Sequence, residues 1–485
     1  MACGFRAAIL TLLFSPCAVA TERMNFTVWS HPVQLRYGEV HNKMQPLAKL
    51  PAHVVDRYAD SKKIMAVTGF DLDMVRIGAN GSESPVALND HYLHHYILMF
   101  GEADGIHKML DVASSDASFA RMLTGCHAMI GAGVHSFLDR LRLEVPQQRN
   151  QQSNRFHIFG SAAGAEYRDN PQRFDAPFRW LIRQPQVWAP TLHIINTKSS
   201  AEAGVEGTAA WSPLIECPCT PQRKINVSAG TIDGRAADPP IHCSPEFAAT
   251  GNPSCHLATY QGGWRCCEDK MFLIDTAKEC ANPDCSEKPV DEVHMKFTFF
   301  YEDAQPGARQ MEGAACCDVT SVTQGDENIE YDVPVCLQGT APEECRHIAE
   351  SVQPLAFFDG HPKSPLSSYR DSDLVDLVFA APHLHLAGIS IELIDHLTNK
   401  TICEVHRTAN NSGGIAYGHG ATPGNEDGYL VGLTPCHWGG AEAPRFRRDH
   451  PMRTRAVYNA SLGHTGVMSL WLMQVSAAAD PDFLV

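Results

Sequence analysis

Two histidines one residue apart, His383 and His385, stand in the run APHLHLAGISIELID, residues 381–395. On an extended strand, residues i and i+2 point to one face, so two imidazoles about 7 Å apart at Cα can converge on one ion. Read as a single strand, the run sets these rings beside Ala387, Ile389, Ile391 and Leu393. A second group opens the stretch NDHYLHHYILMFG, with His91, His94 and His95, and His193 stands in WAPTLHIINTKS. Neighbours on a regular strand face opposite ways, so His94 and His95 can share an ion only where the strand is twisted or bulged. Met468 stands in HTGVMSLWLMQV. It shares a face with Leu470 and Leu472 and, taken locally, reads as a core methionine.

Spacing alone decides little, because 24 histidines in 485 residues give about one such pair of each kind by chance. A cupin-type iron site also uses His-x-His, but it needs a carboxylate close behind and a later histidine. The next carboxylate is Glu392, seven residues after His385 and on the other face, and TPGNEDGY carries no histidine. The cupin reading fails on spacing.

The elements that must position these residues are strands. MAVTGFDLDMVRI, FRWLIRQ, HMKFTFFYED, ISIELID and VMSLWLMQV alternate or nearly alternate, and Gly, Pro, Asn or Asp bounds them. Helical periodicity is scarce, with Ser114 to Leu123 the best candidate. Many short strands between turn signals predict an all-β fold of β-sandwiches. The chain divides into a leader at 1–20, a first sandwich at 21–205, a Cys-rich insertion at 206–290, a second sandwich at 291–478 and a loose tail at 479–485.

The leader, MACGFRAAILTLLFSPCAVA, has one charge, a short apolar stretch and a small-x-small ending. It reads as a cleaved secretory signal, and no segment is long enough to span a bilayer. The formal charge of −16 opposes binding to nucleic acid or an anionic membrane. Twelve cysteines fall between Cys217 and Cys345, a density that reads as a disulfide framework in an oxidising compartment. Cys403 and Cys436 flank GNEDGYLVG outside that cluster and are expected to pair. Cys336 and Cys345 are expected to close a short loop, with Cys126 the candidate free thiol. Sequons at Asn25, Asn80, Asn226, Asn399, Asn410 and Asn459 fit a glycosylated surface.

The carboxy-terminal third resembles the stress up-regulated nodulin proteins, on TICEVHRT, ATPGNEDGYLVGLTPC and VYNASLGHTGVMSLWLMQVS. The resemblance runs upstream through IEYDVPVC, HMKFTFFYED, WRCCEDK, WAPTLHIINTKS and YLHHYILMFG. That family in turn resembles, distantly, the copper type II, ascorbate-dependent monooxygenases that hydroxylate peptidylglycine and dopamine. The second resemblance implies two jelly-roll-like sandwiches, each giving one copper to an open cleft. It matches His94, His95 and His193 to an electron-transfer copper, and His383, His385 and Met468 to an oxygen-activating one. No counterparts of those enzymes' substrate-binding residues can be placed.

The resemblances and the residues that carry them leave two expected functions. One is a secreted protein with two copper ions per chain, hydroxylating a C–H bond of an unidentified substrate with O2 and a reductant such as ascorbate. The other is a non-catalytic, stress-related secreted or cell-surface glycoprotein with structural or vestigial metal sites.

Overall fold

The computed structural model describes residues 23–36, 39–60, 62–88, 90–114, 156–161, 167–168, 171–196, 225–226, 231–232, 235–236, 290–319, 331–333, 336–355, 374–407, 414–418, 426, 430–461 and 464–477. The leader, Cys126, Asn410 and residues 115–123 of the expected helix lie outside these. The described helices are Ala52–Arg57 and Ala103–Ser114.

Alternating side chains build two β-sandwiches. In Asp291–Asp303, Val293, Met295, Phe297, Phe299 and Tyr301 are all buried, while His294, Lys296, Thr298 and Phe300 are only partly covered. This strand lies between Met24–Trp29 and Ile64–Ile77, and the sheet continues through Phe178–Arg183 to Arg309–Gln310. The facing sheet runs Val40–Met44, Val187–Asn196, His91–Gly101, Phe156–Ser161. Aromatic rings fill the space between them, with Phe100 stacked on Phe299 at 5.1 Å and Phe70 against Trp180 at 5.6 Å. Offset ring pairs of this kind add to the burial of their area.

The second sandwich pairs Glu312–Asp318, Ser469–Ala477, Leu374–Leu384 and Cys436–His437 in one sheet, with Arg445–Arg447 also on Leu374–Leu384. Its other sheet runs Arg346–Pro354, Pro451–Asn459, Gly388–Asp395, Lys400–His406. Cys403–Cys436 staples one sheet to the other, and Cys336–Cys345 closes the short loop ahead of Arg346–Pro354. These are the two pairs expected from the sequence.

Two details differ from the sequence reading. The strand at 291 completes the first sandwich rather than opening the second, which begins at Glu312–Asp318. Strands of either sandwich share the same period of two, so the pattern does not reveal which sheet a strand joins. The run 381–395 is also not one strand. Leu374–Leu384 ends, the chain turns through Ala387 at φ 72°, and Gly388–Asp395 joins the opposite sheet.

Among the described strands, four long ones are buried almost end to end: His91–Gly101, Val187–Asn196, Leu374–Leu384 and Ser469–Ala477. An antiparallel strand covered on one face alternates, whereas continuous burial means both faces are covered. Here each inner sheet packs on its own sandwich's core and on the other sandwich. Phe379, Ala381, Met468, Leu470 and Leu472 accordingly join the first sandwich's apolar cluster.

Candidate metal centre

The histidines sit on the inner layers. Along His91–Gly101 and Val187–Asn196, His193 opposes His95 and Ile194 opposes Leu93, so His94 is an extra residue in its strand. This bulge is the local distortion that lets two consecutive side chains turn to one side. One ring nitrogen from each of His94, His95 and His193 lies within 4.8 Å of the others. The Nδ1 atoms of His94 and His95 are 3.1 Å apart, and the His94 ring stacks on His193 with centroids 4.5 Å apart. All three residues are buried, and the Nε2 of His94 has no hydrogen-bond partner.

Burial, then the imidazoles of His193, His95, His385 and His383, holds His94 well below the ordinary histidine range. Burial, with His95 and His41, does the same to His193. Neutral imidazole is the form that ligates a metal, so the cluster is poised as a donor set. Three buried imidazoles around one small volume, with a buried nitrogen left unbonded, fit a transition-metal ion. The triad could bind a metal.

His383, on Leu374–Leu384, and His385, just past its end, project toward the first sandwich. Their face-sharing neighbours are Phe379 and Ala381, not Ala387, Ile389, Ile391 and Leu393, because of the turn after His385. Their ring centroids are 5.1 Å apart, and the His385 ring lies 6.2 Å from that of His94. Leu384 opposes Ser469 at the end of the ladder, so Met468 stands opposite His385 as the next residue. Met468 is 5 % exposed and lies on the interface side with Leu470 and Leu472, whereas Met473 faces the second sandwich's core. The structure thus brings all five histidines into one cluster across the join of the sandwiches. This departs from the open cleft that the monooxygenase resemblance implies.

Charged clamps hold the join closed. The Glu426 carboxylate accepts hydrogen bonds from the Leu88 amide at 2.9 Å and from Arg168 at 2.9 and 3.1 Å, and Arg168 also reaches Asp73. Burial raises the Glu426 carboxyl above the ordinary range, against the opposing pull of the Leu88 amide and Arg168. Elsewhere on the join, the buried Asp376 accepts from Arg309 and Arg445, each at 2.7 Å. Sequence reading missed these residues, since pairing between positions 67 to 338 apart leaves no local signal. GNEDGYLVG lies in a stretch that carries the nodulin resemblance, yet nothing in its pattern reveals that Glu426 reaches Arg168 and Leu88 on the other sandwich.

Asn25, Asn80, Asn399 and Asn459 are exposed, as a glycan site requires, and Asn226 lies on the short strand Ile225–Asn226. Among the described residues, no helix is long and apolar enough to cross a membrane. This and the disulfides are compatible with a protein of the secretory pathway.

The family model of stress up-regulated Nod 19 matches residues 251–478. Residues 251–478 belong to the stress up-regulated Nod 19 family. The Nod 19 stretch contains the second sandwich, His383, His385, Met468 and Glu426, together with the strand Asp291–Asp303 that completes the first sandwich. His94, His95 and His193 precede it. No curated protein matches the chain.

Proposed function

We propose that this protein is a secreted copper protein whose two sandwiches jointly hold two ions. His94, His95 and His193 hold one, and His383, His385 and Met468 hold the other. The observation that carries the reading is the buried convergence of the histidines, with the His94 and His385 rings 6.2 Å apart. An all-imidazole set accommodates both oxidation states, and the set containing Met468 favours Cu(I). Bound copper would supply one-electron chemistry and, with a reductant such as ascorbate, the activation of O2 for hydroxylation of a C–H bond. The protein's part is to keep His94 and His193 neutral, hold the two donor sets side by side and bury both.

One observation favours a non-catalytic reading of the same site. All six residues are at most 5 % exposed, so a substrate reaches them only if the sandwiches separate. In that case copper would join the two halves of a cell-surface or wall glycoprotein. Metal analysis of the purified, secreted chain tests the shared claim: about two coppers per chain are expected, and zinc or no metal refutes it. Ascorbate-dependent O2 uptake by the copper-loaded protein then separates enzyme from metalloglycoprotein.

A further inference from the structure

Three residues could hold copper in the second set, yet only a strand end fixes two of them. The ladder between Leu374–Leu384 and Ser469–Ala477 stops at Leu384 opposite Ser469. His385 and Met468 lie just beyond it, where strand pairing no longer imposes their positions. Met468 also falls in the one-residue break between the strands His464–Val467 and Ser469–Ala477.

A side chain from the opposite sheet replaces the missing ladder. Tyr458 sits on Pro451–Asn459, opposite Gly388 and His347, and its ring is fully buried in the second sandwich's core. Its hydroxyl accepts the His385 backbone N–H at 2.9 Å and donates to the Met468 carbonyl at 2.9 Å. The Ser469 hydroxyl donates to the same oxygen at 3.2 Å. One donated and two accepted bonds use the full capacity of a phenolic hydroxyl, so its rotor is fixed. The oxygen therefore stands between the amide of one candidate ligand and the carbonyl of the other. It ties the two backbones together while spacing them apart by one atom.

We infer that Tyr458 is the positioning residue of the His383, His385 and Met468 site, setting the span between the imidazole and the thioether before any metal arrives. This rests on the copper reading of that site. Ligands fixed by buried supporting hydrogen bonds need little reordering on binding, and metal sites lose affinity when such supports are removed, commonly by 10- to 100-fold.

The test is Tyr458→Phe, which keeps the buried ring and removes only the hydroxyl, with Ser469→Ala as a variant that leaves both ligand-backbone bonds in place. In the metal-free protein, hydrogen exchange of the His385 amide should accelerate at least tenfold in Tyr458→Phe and stay near wild type in Ser469→Ala. Cu(I) affinity of the methionine-containing site should fall about 10- to 100-fold, and the sulfur contribution to its X-ray absorption spectrum should be lost. Binding at His94, His95 and His193 should be unchanged. Unaltered His385 exchange, or unaltered Cu(I) affinity with the sulfur contribution intact, overturns the inference. Wild-type protein that binds no copper through Met468 would sink the copper reading itself. Accelerated exchange would then mark Tyr458 as a structural pin only and equally overturn its assigned role. Should Tyr458→Phe fail to fold, rapid exchange of the His385 amide in the metal-free wild type would refute the inference on its own.

Discussion

Replacing Met468 by leucine separates a ligand from a core residue, because the structure supplies a matched control. Met468 and Met473 lie on one stretch of chain, at 5 % and 2 % exposure, and face opposite apolar clusters. Met→Leu conserves volume, and such buried swaps cost less than about 1.5 kcal/mol. For a unit the size of one sandwich, about 1.5 kcal/mol moves the melting midpoint by roughly 3–6 °C at most. Both variants should therefore melt alike within that window. Their copper binding should not match: Met468→Leu removes the one soft donor, and Cu(I) affinity at that site is expected to fall at least tenfold, or about 1.4 kcal/mol. Competition against a chromophoric Cu(I) chelator, run beside thermal melts on both variants, measures the two quantities. Equal Cu(I) affinity in Met468→Leu, Met473→Leu and wild type would return Met468 to the core and remove the thioether from the proposed site.

Three further outcomes follow from the same geometry. The metal-free chain should lose stability as pH falls: burial depresses His94 and His193, the unfolded chain takes up their protons near pH 6.5, and the folded one resists them. Urea midpoints at pH 7.5 and 5.5 test this, and an unchanged midpoint contradicts the neutral cluster. Removing Cys403–Cys436, which spans 33 residues, should cost about 4 kcal/mol on a chain-entropy estimate, roughly 1 kcal/mol more than removing Cys336–Cys345, which spans 9. Chemical denaturation of the two double-alanine variants would show the order. Asp376→Ala strands the mostly buried Arg309 and should cost about 3–5 kcal/mol, while Arg445→Ala, on a half-exposed partner, should cost about 1 kcal/mol or less. Equal costs would mean that the pair across the join contributes no more than a surface bridge.

The sequence made the candidate His-x-His pair legible because a strand's period of two marks which residues share a face, as with His383 and His385. His94 and His95 could be read only conditionally. The bulge that aligns them is a relation between His91–Gly101 and Val187–Asn196, and neither strand records it alone. The end of the His383 strand was invisible for the same kind of reason. Leu386 to Ile389 keeps an apolar composition while the backbone turns, with Ala387 at φ 72°. Contacts such as Glu426 with Arg168, 258 positions apart, and Tyr458 with His385, 73 apart, depend on how the sheets stack. No local pattern encodes that stacking.

The placement of Asp291–Asp303 has a consequence for biosynthesis. A chain emerging from the ribosome displays Met24–Trp29 and Ile64–Ile77 long before the strand that must lie between them exists. Nine cysteines, Cys126 and the eight from Cys217 to Cys285, emerge in the interval, while the first sheet still lacks a central strand. Non-local pairing of this kind is slow and leaves strand edges open. A fragment ending near residue 205 should accordingly remain unfolded and bind chaperones, whereas one extending past Gln310 carries every described strand of the first sandwich and should fold.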